Sequence, residues 1–370
     1  MGLGRLDDKF YCQAMPNKKP IIWTGVPLAL ASAALFGAST PFAKLLLGAG
    51  TGPWLLAGLL YLGSGVGLTW LLLLRKIWGA NRAEASLGRA DLPWLAFAVL
   101  IGGVIGPVLL MLGLRSTDAS SASLLLNLEG VATVVIAWTF FGENVDGRIL
   151  IGVAAILAGA VVLSWSGGPT GIGSGAFLIA GACLAWGIDN NLTRKFSSAD
   201  PVQIAAAKGL VAGVVNLTLA LVAGAKLPAP TMIGSAALIG LFGYGVSLVL
   251  FVLALRNLGS ARTGAYFSTA PFMGAMLAVA LLGEPVTLQL ALAGLLMAVG
   301  LYLHLTERHQ HPHTHEALEH EHRHVHDEHH QHAHAPGDPS GEPHTHRHWH
   351  TPLAHSHPHY PDLHHRHGHG

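Results

Sequence analysis

LPWLAFAVLIGGVIGPVLLMLGL, residues 92–114, contains no charged side chain over 23 positions. As an α-helix such a stretch is ~35 Å long, enough to cross a hydrocarbon core of ~30 Å. It is one of ten runs of this kind, placed roughly at 24–48, 52–74, 92–114, 118–141, 147–166, 172–193, 201–223, 231–255, 261–282 and 287–306. Glycine and proline occur freely inside them, which membrane helices tolerate and close helix packing favours. Small-residue spacings such as Gly63 with Gly67 and Gly102 with Gly106 fit that packing. A soluble protein with a very apolar core is the competing reading, but ten such runs leave no polar face to meet water.

Composition agrees. Hydrophobic residues make up 51% of the 370 positions and charged residues 11%, about half the charged share of a soluble domain. The net charge of +1 gives no sign of nucleic acid or an acidic partner. Two cysteines, Cys12 and Cys183, form no CxxC, so neither a disulfide framework nor a thiolate metal site is expected, and Cys183 reads as a packing residue. Residues 1–20 lack the apolar core and cleavage site of a secretory signal and read as a short cytoplasmic lead-in. Leu6 stands where a myristoylation signal needs Ser or Thr.

Lys and Arg set the expected orientation. With the N-terminus in the cytoplasm, Arg5, Lys9, Lys18, Lys19, Arg75, Lys76, Arg82, Arg89, Arg148, Arg194, Lys195, Arg256 and Arg262 all lie inside, and only Arg115 and Lys226 lie clearly outside. Both termini are then cytoplasmic, in an inner (plasma) membrane of bacterial type.

The chain repeats itself. Phe36-Gly37 and Lys44 align with Trp186-Gly187 and Arg194 at one constant offset, and Arg115, Gly142-Glu143 and Gly159 align with Arg256, Gly283-Glu284 and Gly300 at another. Five spans per half is an odd number, so the halves insert with opposite orientation. Inverted repeats of this kind mark secondary transporters with a site between the halves. The expected fold is an all-α membrane protein: ten transmembrane helices as two inverted five-helix repeats, 24–166 and 172–306, plus a disordered His-rich tail over 307–370.

Four stretches carry a family resemblance: Phe36-Gly37-Ala38-Ser39-Thr40-Pro41-Phe42-Ala43-Lys44; Leu128-Glu129-Gly130-Val131 ending in Gly142-Glu143; Trp186-Gly187; and Ala270-Pro271-Phe272 ending in Gly283-Glu284-Pro285. In their order and spacing over residues 24–305 the chain resembles the drug/metabolite transporter superfamily, specifically its EamA-type members. The resemblance implies a ten-helix transporter that moves small solutes by alternating access, commonly outward. Members often carry Arg in the second span; here Gly58 stands there, and the matching place in the seventh span holds Lys208. The tail is not a general family feature. Some members in nickel and cobalt resistance systems look similar in carrying histidine-rich ends.

Ionisable groups deep in a span are costly and are functional candidates by default. Glu129 sits near the middle of the fourth span with Asn127 two positions before it, and its repeat mate is Ala270. A carboxyl group there can exchange a proton or help hold a cation; the bland alternative is that it satisfies backbone at a helix break near Gly130. Asp189, Asn190 and Asn191 form a polar run in the sixth span, of which at most two face one cavity. Asp189 can bind a cation or pair with Lys208; alternatively the run is wet at a helix end, and Lys208 snorkels to the interface. Lys44, Arg115, Arg194 and Arg256 read as span-end groups, and Glu143 and Glu284 as helix-end or turn determinants.

All 24 histidines lie between His304 and His369. Alternating sets occur at His309, His311, His313 and His315; at His320, His322, His324 and His326; and at His344, His346, His348 and His350. Alternate side chains of an extended chain fall on one side, and imidazole binds nickel, cobalt, zinc or copper. An expression tag would be an unbroken run, which this is not. His320-Glu321-His322-Arg323-His324 matches the H-E-x-x-H string, but that motif needs an ordered helix, a third ligand and a cleft. No cofactor is required, and no enzyme activity or nucleic-acid partner is expected. The expected partners are a small-molecule or metal-ion substrate, the bilayer and, as an open expectation, a second copy in a homodimer.

Three functions follow. One is a secondary-active exporter of a divalent transition metal with a metal-collecting tail. The second exports an organic metabolite or amino-acid-like solute and carries a metal-responsive tail. The third is a membrane metal sensor or store without transport.

Overall fold

A computed structural model describes residues 22–78, 87–141, 147–165, 172–193, 196, 199–258, 260–306, 310–315, 318–324, 344–350 and 353–358. It is almost wholly helical. The first half comprises α1 (Ile22–Gly48), α2 (Pro53–Ile77), α3 (Leu92–Ala98) continued through a π-helical turn (Val99–Ile105) into α4 (Gly106–Ser116), α5 (Ala119–Leu125), α6 (Leu128–Phe141) and α7 (Gly147–Ser164). The second comprises α8 (Ser174–Thr193), α9 (Pro201–Val222), α10 (Pro230–Gly240) continued through a second π-helical turn (Leu241–Val246) into α11 (Ser247–Leu258), α12 (Ser260–Phe267), α13 (Ala270–Leu282) and α14 (Leu288–Leu305). Counting each broken helix once, each half holds five passes.

Eight of these helices are long and apolar enough to cross a membrane. The two others are α8, whose polar run at residues 189–191 dilutes its hydropathy, and the broken pair α12–α13. The outer surface shows large apolar side chains, among them Trp70, Phe140 and Val222. That is the belt a bilayer requires, and every backbone group along these passes must be satisfied within the protein.

The repeat is visible in the contacts. Gly37 of α1 has no room for a Cβ against Ala270 and Gly274 of α13, and its mate Gly187 of α8 meets Ala132 and Thr133 of α6. Gly159 of α7 abuts Ala293 and Met297 of α14, and its mate Gly300 abuts Gly152 and Ile156 of α7. Gln289 Nε2 donates to the Trp165 carbonyl at 2.8 Å, and its mate Arg148 donates to the Thr306 carbonyl at 3.2 Å. Each contact recurs with the roles of the halves exchanged, as a two-fold axis in the membrane plane requires. The offset is 150 positions for Gly37 and Gly187, and 141 for Gly159 and Gly300.

The central crossing of α2 on α9 adds a third register. Gly65 meets the backbone of Leu210, and Gly213 meets that of Leu62, so this pair repeats at an offset of 148. The structural mate of Lys208 is therefore Leu60 and not Gly58. Loop lengths change the offset between spans, and the match of Gly58 with Lys208 had carried the first-span register one helix too far.

Four short backbone segments of the tail are strands. Gln310–His315 pairs antiparallel with Leu353–Pro358, and Leu318–His324 with His344–His350. The N-terminal segment 1–20 lies outside the described residues, as do His309 and His326 of the tail.

Candidate functional site

The site is built on the last two turns of α8. Gly187 lets this helix lie directly on α6, and Gly102 of the first π-helical turn leaves space that the Asp189 carboxylate fills. A π turn releases a backbone carbonyl from the helical ladder, a feature common at functional sites. Here the Gly102 carbonyl accepts from Trp186 Nε1 at 2.9 Å and from the Tyr61 hydroxyl at 3.3 Å. The neighbouring Gly103 carbonyl accepts from Asn216 Nδ2 at 3.1 Å, and Trp54 Nε1 fixes the Asn216 amide by donating to its Oδ1 at 3.2 Å.

Asp189 and Lys208 form a pair. Lys208 Nζ donates to both carboxylate oxygens at 2.7 Å and to Thr193 Oγ1 at 3.2 Å. Thr193, one turn after Asp189, donates to Asp189 Oδ1 at 3.1 Å. The side chains are only 15% and 10% exposed for Lys208 and Asp189. Lys208 therefore points into the bundle instead of snorkelling, which its place in the first third of α9 also permitted.

Glu129 lies on the adjacent face of α8's surroundings. A short non-helical step separates α5 from α6 and sets Glu129 in the first turn of α6. Asn190 Nδ2 donates to Glu129 Oε1 at 2.9 Å and to Thr133 Oγ1 at 3.3 Å. Glu129 has no cationic partner among the described residues. Asn191 turns away: its Nδ2 donates to the Gly187 carbonyl at 2.8 Å and the Thr133 carbonyl at 3.2 Å. The three consecutive polar residues thus divide as helix geometry demands, Asp189 to Lys208, Asn190 to Glu129 and Asn191 to backbone.

Asn127 does not join this group. It is buried, and its Nδ2 donates to the Leu124 carbonyl at 2.8 Å and lies 3.8 Å from Met297 Sδ. It stabilises the step between α5 and α6 and faces α14, as expected of a residue two positions from Glu129, since two positions along a helix turn a side chain through about 200°.

At the repeat-related position the chemistry is different. Ser39, Leu60 and Ala270 stand where the second site would need Asp189, Lys208 and Glu129. Aromatic rings gather there: Phe36 against Tyr244 at 6.0 Å between centroids, Tyr61 against Tyr244 at 5.4 Å and Phe36 against Phe267 at 5.4 Å. One site is charged and its mirror is uncharged.

Sequence reading missed Tyr61, Thr133, Thr193 and Asn216. Thr193 carried a signal, being four positions after Asp189 on one helix. The others depend on helix crossings and left no local trace. Cys183 is fully buried with Sγ near the Leu125 carbonyl, a packing residue as expected. No group of three or more His, Cys, Asp or Glu suited to a metal ion occurs among the described residues. The tail sets lie on strands of which only the backbone is described, apart from His309 and His326, which lie outside the described residues altogether. Arg194 and Glu143 also lie outside them.

Residues 23–165 and 173–306 each match the EamA-like transporter family. A protein of Methanothermobacter thermautotrophicus named as an uncharacterized transporter is 30% identical over 230 residues, 60% of this chain and 67% of that one. The inner membrane transporter YedA of Escherichia coli K12, also named as uncharacterized, is 27% identical over 245 residues, 63% of this chain and 74% of its own. A probable terminal-alkyne amino-acid exporter of Streptantibioticus cattleyicolor is 28% identical over 207 residues, 55% of this chain and 69% of that one. A crystal structure 19% identical in sequence superposes with a TM-score of 0.55, covering 76% of this chain and 95% of that one.

Proposed function

The chain belongs to the EamA-like transporter family, and from that premise we propose that it exports a small organic solute bearing a cationic amino group, of the amino-acid-like class. Positive loop charges support an orientation with both termini in the cytoplasm of an inner membrane. One observation carries the choice of solute: Lys208 occupies both oxygens of Asp189, while the Glu129 carboxylate accepts its hydrogen bond from the neutral Asn190 amide and forms no ion pair among the described residues. A half-buried carboxylate within a membrane span, without an ion-pair partner, attracts a cation. A protonated amine satisfies Glu129, and the carboxylate of a zwitterion can share Lys208 with Asp189. Glu129 can exchange a proton for the departing cation, which makes transport secondary-active. The printed name of the Streptantibioticus relative, an amino-acid exporter, points the same way.

A soft transition metal as cargo is less well served. Such an ion calls for imidazole or thiolate ligands, and the described bundle offers no cluster of donors around Glu129 or Asp189. We place the metal chemistry in the tail instead, as a nickel-, cobalt-, zinc- or copper-binding regulatory segment on the cytoplasmic side.

The test is loss of radiolabelled leucine and of radioactive nickel from preloaded cells with the intact protein or Glu129→Gln. Faster leucine loss that Glu129→Gln abolishes is expected. Nickel loss that depends on Glu129, with leucine unmoved, would replace this reading by metal export.

A further inference from the structure

The two halves are not equally closed. At the end of the bundle where α4 turns into α5, four elements meet. Lys44 Nζ, at the end of α1, donates to the Leu114 and Thr117 carbonyls at 2.7 Å each. Glu284, just beyond α13, accepts from the Ala119 and Ser120 amides at 2.7 and 2.8 Å. The ammonium sits on the exposed carbonyls that end α4, and the carboxylate sits on the exposed amides that begin α5. Each charge meets the helix terminus of opposite polarity. Behind this clamp α5 is buried at every position but Ser121, with Ser123 of α5 packed against Gly274 of α13.

The repeat maps α5 onto α12 and α13 onto α6, at the opposite end of the bundle. There the equivalent packing is missing among the described residues. Gly264, the mate of Ser123, has open space around its Cα. Ala270, Pro271, Gly274 and Ala275 of α13 are buried, whereas their mates Glu129, Gly130, Thr133 and Val134 on α6 are not. The face of α6 that carries Glu129 and Thr133 therefore lacks, among the described residues, the cover that α5 gives α13, which leaves a cleft on the α12 side.

We propose that Lys44 and Glu284 are the outer gate of the transport path, holding the 114–120 turn against α1 and α13 while the cleft between α6 and α12 leaves the Glu129–Asn190 site open to the cytoplasm. The assignment of outer and inner rests on the orientation given under the proposed function. Release of both charges from the 114–120 turn frees α5 to leave α13, the rearrangement that exposes the site to the far side. Lys44 and Glu284 act as positioning residues: they touch helix ends and not the solute.

The experiment uses the full chain with Cys12→Ala and Cys183→Ala, a single reporter, Ser123→Cys or Gly264→Cys, and a membrane-impermeant maleimide on right-side-out and inside-out vesicles. With the gate intact, the cysteine at 264 reacts only in inside-out vesicles and the cysteine at 123 reacts in neither. Glu284→Ala is expected to raise labelling at 123 several-fold in right-side-out vesicles and to lower labelling at 264. Glu284→Asp should restore both. Glu284→Gln and Lys44→Met repeat the test with side chains of nearly unchanged size should Glu284→Ala fail to fold. Variants that fold but leave both positions unchanged overturn the gate and make the contacts static caps. Labelling of 264 from the right-side-out face overturns the assignment to the outer face. Leucine flux plays no part in the readout, so a wrong solute leaves the gate standing and a failed gate leaves the solute untouched.

Discussion

Replacing Lys208 by methionine removes the ammonium and keeps a chain of similar length. The Asp189 carboxylate, 10% exposed and set against Gly102, then retains only the Thr193 hydroxyl. Removing one member of a buried ion pair costs about 3–5 kcal/mol, mostly because the remaining charge stays desolvated. Asp189 keeps a little exposure, so the lower end, about 3 kcal/mol, is the better figure. At roughly 2 °C per kcal/mol for a chain of this size, the apparent Tm in detergent should fall by about 6 °C. Asp189→Asn combined with Lys208→Met removes both charges and should recover most of that loss, since a neutral amide costs far less to desolvate than a carboxylate. The assay is thermal unfolding of purified protein at one fixed scan rate, which keeps variants comparable when unfolding is irreversible. The control is Val222→Ala at a side chain 82% exposed on the outer surface. If Lys208→Met melts with that control, or the double variant is worse than the two single ones together, the pair is not the buried, mutually compensating unit its geometry describes.

Two further outcomes follow from the packing and the tail. A Cβ at Gly159 would lie 2.8 Å from Met297 Cγ and 3.0 Å from the Ala293 carbonyl; Gly159→Leu should force α7 from α14 and lose the monodisperse peak on size exclusion, while Gly234→Leu, at a position with open space, should elute as the parent does. The full chain should bind several nickel or zinc ions by titration calorimetry, and alanine at His344, His346, His348 and His350 should lower the stoichiometry; an unchanged stoichiometry would remove that histidine set from the proposed metal sites.

Much of this molecule is written in single stretches of sequence. Hydropathy is a local property, so the passes from α1 to α14 could be counted from composition along the chain, and the odd number of passes in each repeat dictated the inverted relation of the halves. The cost of burying charge marked Glu129, Asp189 and Lys208. Which of them meet was decided elsewhere. The pairing of Asp189 with Lys208 depends on how closely α8, α9 and the π-helical turn approach: Gly102 leaves room for the Asp189 side chain, and Gly65 and Gly213 hold α9 against α2 through backbone contacts many positions away. Glu284 read correctly as a helix-end residue, but the end it caps belongs to α5 in the other half of the chain. Composition and repeat follow from residues taken in order; partners follow from crossings, and a crossing is fixed only when both helices are in place.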